Sequence, residues 1–209
     1  LLTKRPENIR DMIPSRWRRS LPDNVWIGTS VEDQAMADLR IPELLSIPAK
    51  VRFLSMEPLL GNVTLEKWLP HSHDEYPHQA ICSICGVQTN ALHHPQSQSL
   101  IDWVIVGGES GHNARPMHKN WVELIQNQCE QSDIAFFFKQ WGEFRNQISL
   151  EDGISIDKDP DLWINNDAEI LKDEQQALEA DGTWTGLYRL GKKKAGRLID
   201  SKSYDAIPK

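Results

Sequence analysis

The stretch DWVIVGGESGHNARP, residues 102–116, decides the fold that the sequence predicts. Residues 103–106 form a continuous apolar run rich in β-branched side chains, which is typical of a strand buried on both faces of a parallel sheet. Gly107 and Gly108 end this run, and a polar cluster that begins with Glu109 follows them. Because α/β folds bind ligands at the carboxyl ends of their parallel strands, this cluster is a candidate site.

On either side of this stretch the chain repeats an apolar run followed by a helical pattern, which predicts a parallel sheet with helices outside. The other predicted strands are residues 1–2, 24–27, 51–54 and 135–138. The predicted helices are residues 6–13, 35–45, 63–69 and 119–131. The expected fold is α/β: a partial parallel β/α barrel, TIM-like, over residues 1–146, with an inserted loop at 70–100. A C-terminal extension follows at 147–209, and its acidic stretch 147–179 is predicted to be a linker.

Each predicted strand is followed within a few positions by an ionisable residue, and these residues are Lys4, Glu32, Glu57, Glu109 and Lys139. The carboxyl ends of parallel strands meet at one edge of a sheet, so these charges would gather there and shift one another's pKa, as active-site groups do. The alternative is a set of ordinary surface charges at solvated strand ends. Gly107 and Gly108 would leave room for a ligand to approach the backbone at this edge.

Composition excludes several classes of protein. The chain has 209 residues and a formal net charge of −7, which argues against nucleic-acid binding through bulk charge, although a local basic patch can still bind. It contains no run of about 18 apolar residues, so no membrane span is predicted. Three cysteines and no signal-peptide pattern predict a cytoplasmic protein without a disulfide framework. Because residues 1–6 look like the tail of a buried strand entering a charged loop, we expect the sequence to be a fragment.

The motifs LLTKRPENI, VWIGTSVEDQ, RFLSMEPLLG, DWVIVGGESG, ARPMH and FFFKQWGEF occur in this order over residues 1–144. Together with residues 191–200, they resemble a domain-of-unknown-function family of phage and bacterial proteins. That family is similar to radical S-adenosylmethionine proteins, in which an N-terminal three-cysteine segment binds a four-iron cluster ahead of a partial barrel. The motif LLTKRP also resembles the strand-end Thr-Lys motif of the spore photoproduct lyase group.

The resemblance implies S-adenosylmethionine and an iron–sulfur cluster as cofactors of the full-length protein. This sequence lacks the three clustered cysteines, because Cys82 and Cys85 lie in the insertion and Cys129 lies in a predicted helix. It would therefore be the barrel portion of a radical S-adenosylmethionine-like protein, with no reaction implied. The residues expected to border the adenosyl or nucleotide ligand are Thr3, Lys4, Ser30, Glu32, Glu57, Gly108, Glu109 and Lys139. The alternative is a non-catalytic phage module that binds a nucleotide or nucleic acid.

The insertion at residues 70–100 contains five of the seven histidines and two of the three cysteines. Cys82 and Cys85 have the two-residue spacing of a zinc knuckle, and His93 and His94 would complete four ligands. This pattern predicts a structural zinc site. A metal-free loop and a redox dithiol are the alternatives, the latter without a thioredoxin-like context.

Two basic stretches have competing interpretations. Residues 15–19, Ser-Arg-Trp-Arg-Arg, place three cations around Trp17, which can contact phosphates and stack a base. The alternative is a helix-end surface with Trp17 packed inward. The segment GKKKAG at residues 191–196 can hold an anion, or can form a solvated turn between predicted strands at 188–190 and 197–199.

Overall fold

Two sheets organise the computed structural model, which describes residues 1–69, 101–146, 156, 158–180 and 182–208. The first sheet is parallel, and its five strands follow one another in chain order: β1 (Leu2–Thr3), β2 (Ile27–Ser30), β3 (Arg52–Met56), β4 (Trp103–Gly107) and β5 (Ala135–Gln140). The second sheet is antiparallel in the order β6-β9-β7-β8, with β6 (Phe144–Asn146), β7 (Leu162–Ile164), β8 (Ile170–Leu171) and β9 (Thr185–Arg189). The predicted α/β class and its parallel sheet are confirmed.

The helices lie between the parallel strands, and the two longer ones begin at a side-chain cap. The short helix α1 (Ile9–Met12) follows β1. Helix α2 (Gln34–Leu45) begins where the Asp33 carboxylate accepts the Met36 N–H at 2.9 Å. Helix α3 (Lys119–Gln131) has the predicted bounds, because its strong apolar stripe is buried against the sheet.

Four local predictions need correction. The helix expected at residues 63–69 is a single 3₁₀ turn, Glu66–Trp68. The strand expected at 24–27 lies later, at Ile27–Ser30, because pairing on both sides buries the small polar residues that follow Ile27. The turn expected in GKKKAG is a short helix, α5 (Lys192–Ala195), and the strand expected at 197–199 is only an isolated bridge from Ile199 to Lys202.

The predicted linker is wrong over its described part, because residues 162–179 contain β7, β8 and a helix, α4 (Glu174–Glu179). The turn between β7 and β8 is held by Asn165, whose side-chain oxygen accepts the N–H groups of Asp167 and Glu169 at 3.0 and 2.9 Å. Strand β6 pairs with β9, so the antiparallel sheet includes residues on both sides of position 146. The division into two domains at that position stays a prediction.

The C-terminal segment covers the edge of the parallel sheet at β5. The Phe138 N–H donates to the Tyr204 carbonyl at 2.9 Å, and the Ala206 N–H donates to the Phe136 carbonyl at 3.2 Å. These bonds pair backbone groups of Phe136 and Phe138 that an uncovered edge strand would offer to another chain. Among the residues that the structure describes, no helix has the length and apolar character needed to cross a bilayer.

Candidate functional site

The parallel sheet has two chemically different faces, because successive side chains of a strand point to opposite sides. One face packs against the helices, and its side chains include Leu54, Val104 and Phe138, each 0% exposed. The other face consists of residues that the strand pairing sets side by side: Leu2, Gly28, Ser30, Phe53, Ser55, Trp103, Ile105 and Phe137. We name this set the open face, because its large apolar side chains are not fully buried.

The centre of the open face is a row of aromatic rings. The Trp103 ring lies 5.8 Å from the Phe53 ring and 6.2 Å from the Phe137 ring, centroid to centroid. A Cβ at Gly28 would overlap the Phe53 ring, so only glycine lets that ring lie against the β2 backbone. The Trp103 indole N–H donates to the Ala206 carbonyl at 2.8 Å, which fixes the orientation of the central ring. The row is therefore an apolar surface whose central ring is held by a hydrogen bond.

The strand-end charges predicted from the sequence continue the open face toward the carboxyl ends. Two positions separate Lys4 from Leu2, Glu32 from Ser30, Glu57 from Ser55 and Lys139 from Phe137, which is the spacing of one face of a strand. Glu109 follows the end of β4. We name these five charged residues, Lys4, Glu32, Glu57, Glu109 and Lys139, the rim.

Glu32 is the most buried member of the rim, with 8% of its surface exposed. Its carboxylate lies 2.6 Å from Lys4 Nζ and 2.7 Å from Arg40 Nη1. Arg40 also donates to the Ser30 carbonyl at 2.8 Å. Burial by itself would raise the pKa of Glu32, but the hydrogen bond from Lys4 and the charge of Arg40 outweigh burial and lower that pKa. Glu32 is therefore an ionised acceptor.

Glu109 forms a bidentate pair with Arg115, in which Nε and Nη2 lie 2.8 and 3.0 Å from the carboxylate oxygens. The Arg115 backbone N–H adds a third hydrogen bond at 2.8 Å. These bonds from Arg115 lower the pKa of Glu109, and the charge of Lys4 lowers it further. The charge of Glu32 in turn raises the pKa of Arg115. The loop after β4 therefore interacts electrostatically with the ends of β1 and β2, across β3.

Glu57 is bound by two side chains from the end of β5. Lys139 Nζ lies 2.7 Å from its Oε2, and the Gln140 amide donates to its Oε1 at 3.1 Å. The same amide nitrogen lies 3.2 Å from the Gly108 carbonyl and 3.1 Å from Ser110 Oγ. Gln140 is buried, and its Oε1 has no hydrogen-bond partner among the described residues. A buried acceptor without a donor is costly, so Gln140 is suited to receive a donor from a ligand.

The expectation that Gly108 leaves room for a ligand is wrong. A Cβ at Gly108 would overlap the Trp141 carbonyl, and a Cβ at Gly142, which has φ +84°, would overlap the Glu109 carbonyl. The two backbones therefore cross in direct contact. Glycine at these two positions allows the two backbone segments to come into contact.

Glu143, just before β6, and Arg189 of β9 bind the loop that follows β4. Glu143 accepts the Gly111 N–H at 3.0 Å, and its own backbone N–H donates to the Glu109 carbonyl at 2.9 Å. Arg189 of β9 donates to the carbonyls of Gly111, at 3.0 Å, and His112. The sequence did not predict these contacts, because Glu143 and Arg189 lie 32 and 78 residues from Gly111 in the chain.

The remaining predicted site residues are placed as follows. Thr3 lies beside Thr29 rather than on the open face, and its hydroxyl accepts the Arg5 N–H at 3.0 Å. The predicted zinc ligands lie outside the described residues, and they are Cys82, Cys85, His93 and His94. Within the described ranges, no group of three or more metal-binding side chains was found. The Cys129 thiol is 0% exposed, and burial raises its pKa to about 12.

Comparison with known proteins gives one match. A family model described as Protein of unknown function (DUF5131) matches residues 1–208. No curated protein and no solved structure matches the chain significantly. The predicted resemblance to a domain-of-unknown-function family is confirmed by this match, which includes both sheets and the rim.

Proposed function

The chain belongs to the DUF5131 family, and from this premise we propose that its open face and rim bind an adenosyl or nucleotide ligand. The ligand that best suits both surfaces is S-adenosylmethionine, bound by the barrel portion of a radical S-adenosylmethionine-like protein. The observation that supports this proposal is the aromatic row of the open face, which borders a rim of both charge signs.

The parallel sheet is inferred to be part of a β/α barrel. Its five strands are parallel and lie in chain order, which is the order of a barrel, whereas doubly wound sheets reverse their strand order at a switch point. Ligands of barrels bind at the carboxyl ends of the strands, where the rim lies.

The aromatic row offers a surface on which an adenine ring can stack. Stacking of a base on an aromatic side chain contributes about 1–3 kcal/mol. Phe53, Trp103 and Phe137 are half-buried, so their rings retain exposed surface for this contact. The base would lie nearer the amino ends of the strands than the rim does.

The rim provides partners for the polar part of the ligand. The free Oε1 of Gln140 would accept a hydroxyl or amino proton. The pair of Glu57 with Lys139 would open, because a ligand ammonium can bind the carboxylate while a ligand carboxylate binds the lysine. A zwitterion such as the methionyl end of S-adenosylmethionine satisfies both groups at once.

The described residues do not fit the iron–sulfur cluster that the resemblance implies. Cluster ligands are thiolates, and Cys129 is a buried thiol with a pKa of about 12. We therefore assign this part of the chain the binding of the organic ligand alone, and no reaction step.

Calorimetric titration of the chain with S-adenosylmethionine and S-adenosylhomocysteine tests the proposal. Glu57→Gln should weaken binding at least about 10-fold, because it removes the charge that would bind the ligand ammonium. Asp38→Asn is the matched control, since Asp38 pairs with Lys67 at 2.5 Å outside the rim. Equal binding by the wild type and Glu57→Gln would refute the role of the rim.

The alternative function, a nucleotide-binding module without catalysis, is favoured by the same lack of cluster ligands in the described chain. Titration with AMP and ATP distinguishes the two. Nucleotides that bind as tightly as S-adenosylmethionine, with no loss in Glu57→Gln, would support the module and exclude a rim that recognises the methionyl end.

A further inference from the structure

Some surface cations of this protein form ion pairs with carboxylates, and others do not. Cations with a carboxylate oxygen within 4.0 Å are Lys4, Arg5, Arg40, Lys50, Lys67, Arg115, Lys119, Lys139, Lys158, Arg189 and Arg197. Arg16, Arg18 and Arg19 are exposed, and among the described residues they have no carboxylate partner. Lys192, Lys193 and Lys194 of α5 are likewise exposed and without a carboxylate partner among the described residues, so the feature that sets residues 16–19 apart is that their three cations are guanidinium groups.

Arg16 lies in a short turn, and Arg18 and Arg19 follow it directly. Residues Ser15–Trp17 form a 3₁₀ turn, in which the Trp17 N–H donates to the Pro14 carbonyl at 2.8 Å. Trp17 packs against the hydrophobic core, and the Arg16 guanidinium lies 5.7 Å from the centre of its ring. The indole therefore anchors the turn. Of the two interpretations that the sequence offered for residues 15–19, the position of Trp17 matches the one in which it packs inward.

The turn lies at the opposite end of the strands from the rim. It precedes β2, and the Leu21 N–H donates to the Pro48 carbonyl at 3.2 Å. Pro48 lies just before β3, so this contact places the segment at the amino ends of the parallel strands. A ligand at the rim and a partner at the arginines would not compete.

We propose that Arg16, Arg18 and Arg19 form a docking surface for the phosphate backbone of nucleic acid. Guanidinium groups bind phosphate oxygens in pairs of parallel hydrogen bonds, and arginine is the residue that this geometry favours. The net charge of −7 repels a polyanion from the rest of the surface, so binding is confined to the turn and is weak.

A lipid headgroup has the same phosphate chemistry, but the turn is poorly suited to a bilayer. Stable membrane attachment requires an inserted apolar group besides a basic patch. Trp17 is committed to the core, and Met12, 80% exposed, is the bulky apolar side chain next to the turn in sequence. One methionine contributes little to insertion.

Fluorescence anisotropy with labelled duplex DNA, single-stranded DNA and RNA tests the proposal. The variant Arg16→Gln/Arg18→Gln/Arg19→Gln removes the charges, and Lys192→Gln/Lys193→Gln/Lys194→Gln is the matched control. The control removes the same charge from three adjacent exposed lysines of α5. Three phosphate contacts on duplex DNA give a slope of about −2.7 in log K against log salt, or roughly a 40-fold loss between about 50 and 200 mM.

The arginine variant should bind at least about 10-fold more weakly at about 50 mM salt, with a slope near zero, while the lysine control stays within about 2-fold of the wild type. Equal losses in both variants would reduce the effect to bulk charge and overturn the proposal. Binding to phosphatidylserine vesicles without binding to any nucleic acid would overturn it as well. Circular dichroism checks the fold, and Arg18→Gln alone should still lower the slope by about 1 if the triple variant unfolds.

Discussion

Lys139 Nζ lies 2.7 Å from Glu57 Oε2, and this ion pair joins the ends of β5 and β3 across the end of β4. Gly107 ends β4, and a Cβ there would lie 3.4 Å from the Glu57 carboxyl carbon. A larger side chain at this position would therefore obstruct the carboxylate that reaches across the strand. The two glycines at the end of β4 thus have separate packing roles, since Gly107 leaves space for the Glu57 side chain and Gly108 for the Trp141 backbone.

This difference predicts unequal costs for two adjacent alanine substitutions. Gly107→Ala should lower the free energy of unfolding by less than about 1 kcal/mol, because the Glu57 side chain can move slightly. Gly108→Ala should lower it by about 2–4 kcal/mol, because the backbone that it meets cannot move independently. Urea denaturation of both variants measures the difference. Similar costs for the two would contradict the close backbone crossing.

The ion pair of the rim is expected to matter more for binding than for stability. Lys139→Met should cost less than about 1 kcal/mol, because the Lys139 side chain is 49% exposed and solvent screens the pair. Lys67→Met is the control, since Lys67 pairs with Asp38 at a similar exposure of 44%. Thermal unfolding with and without S-adenosylmethionine should show a smaller ligand-induced shift in Lys139→Met only. A smaller shift in both variants would argue against a specific role of Lys139 in ligand binding.

The sequence predicted the parallel sheet because its strands are apolar runs with local periodicity, and it predicted α3 because the apolar stripe is continuous. The second sheet could not be predicted in this way. Strand β8 has two residues and strand β6 has three, and β6 acquires its partner, β9, from a distant part of the chain. Such short strands have no periodicity of their own, so pairing alone defines them.

As with the fold, only part of the candidate site could be predicted from the sequence. Ionisable residues after the strands indicated the rim, but their order in the chain did not reveal which charges pair. Arg40 reaches Glu32 from α2, and Gln140 reaches Glu57 from β5. Neither contact has a sequence signal beyond the general rule that buried carboxylates are paired. The backbone crossing at Gly108 and Gly142 has no signal in a single sequence.

The Cys129 thiol should be unreactive in the folded protein. It is 0% exposed, and its pKa of about 12 leaves almost no thiolate at neutral pH. In a Cys82→Ser/Cys85→Ser variant, a thiol reagent should label no cysteine under native conditions and one in urea. Native labelling at the denatured rate would show that α3 opens readily from the core.

The zinc prediction for residues 70–100 is tested by elemental analysis. If Cys82 and Cys85 bind zinc with His93 and His94, purified protein should contain about one equivalent. Cys82→Ser should remove the metal, and Cys129→Ser, which changes a thiol of α3, should not. Metal-free wild-type protein would exclude the site.

His118 ties the start of α3 to the second sheet. Its Nδ1 accepts the Asn120 N–H at 3.1 Å, so the neutral ring has its proton on Nε2, which lies 3.0 Å from Thr185 Oγ1. The ring is 2% exposed and packs beside Trp121 at 5.8 Å. Burial lowers the pKa of His118, and the charge of Glu123 opposes this effect only in part. Protonation would place a second N–H against the Asn120 donor.

The stability of the protein should therefore fall in mild acid through this residue. The unfolded chain binds a proton at His118 near pH 6.5, whereas the folded chain binds it only at lower pH. The full stability is present above about pH 6.5 and declines by up to about 1.4 kcal/mol per pH unit as the pH falls toward the folded pKa.

His118→Asn retains a capping side chain without titrating, so the stability of this variant should depend less on pH over this window. His112→Asn, at an exposed position, is the control. Urea denaturation from about pH 7.5 to 5 should show a steeper decline in the wild type and the control than in His118→Asn, and parallel curves would exclude His118 as the cause.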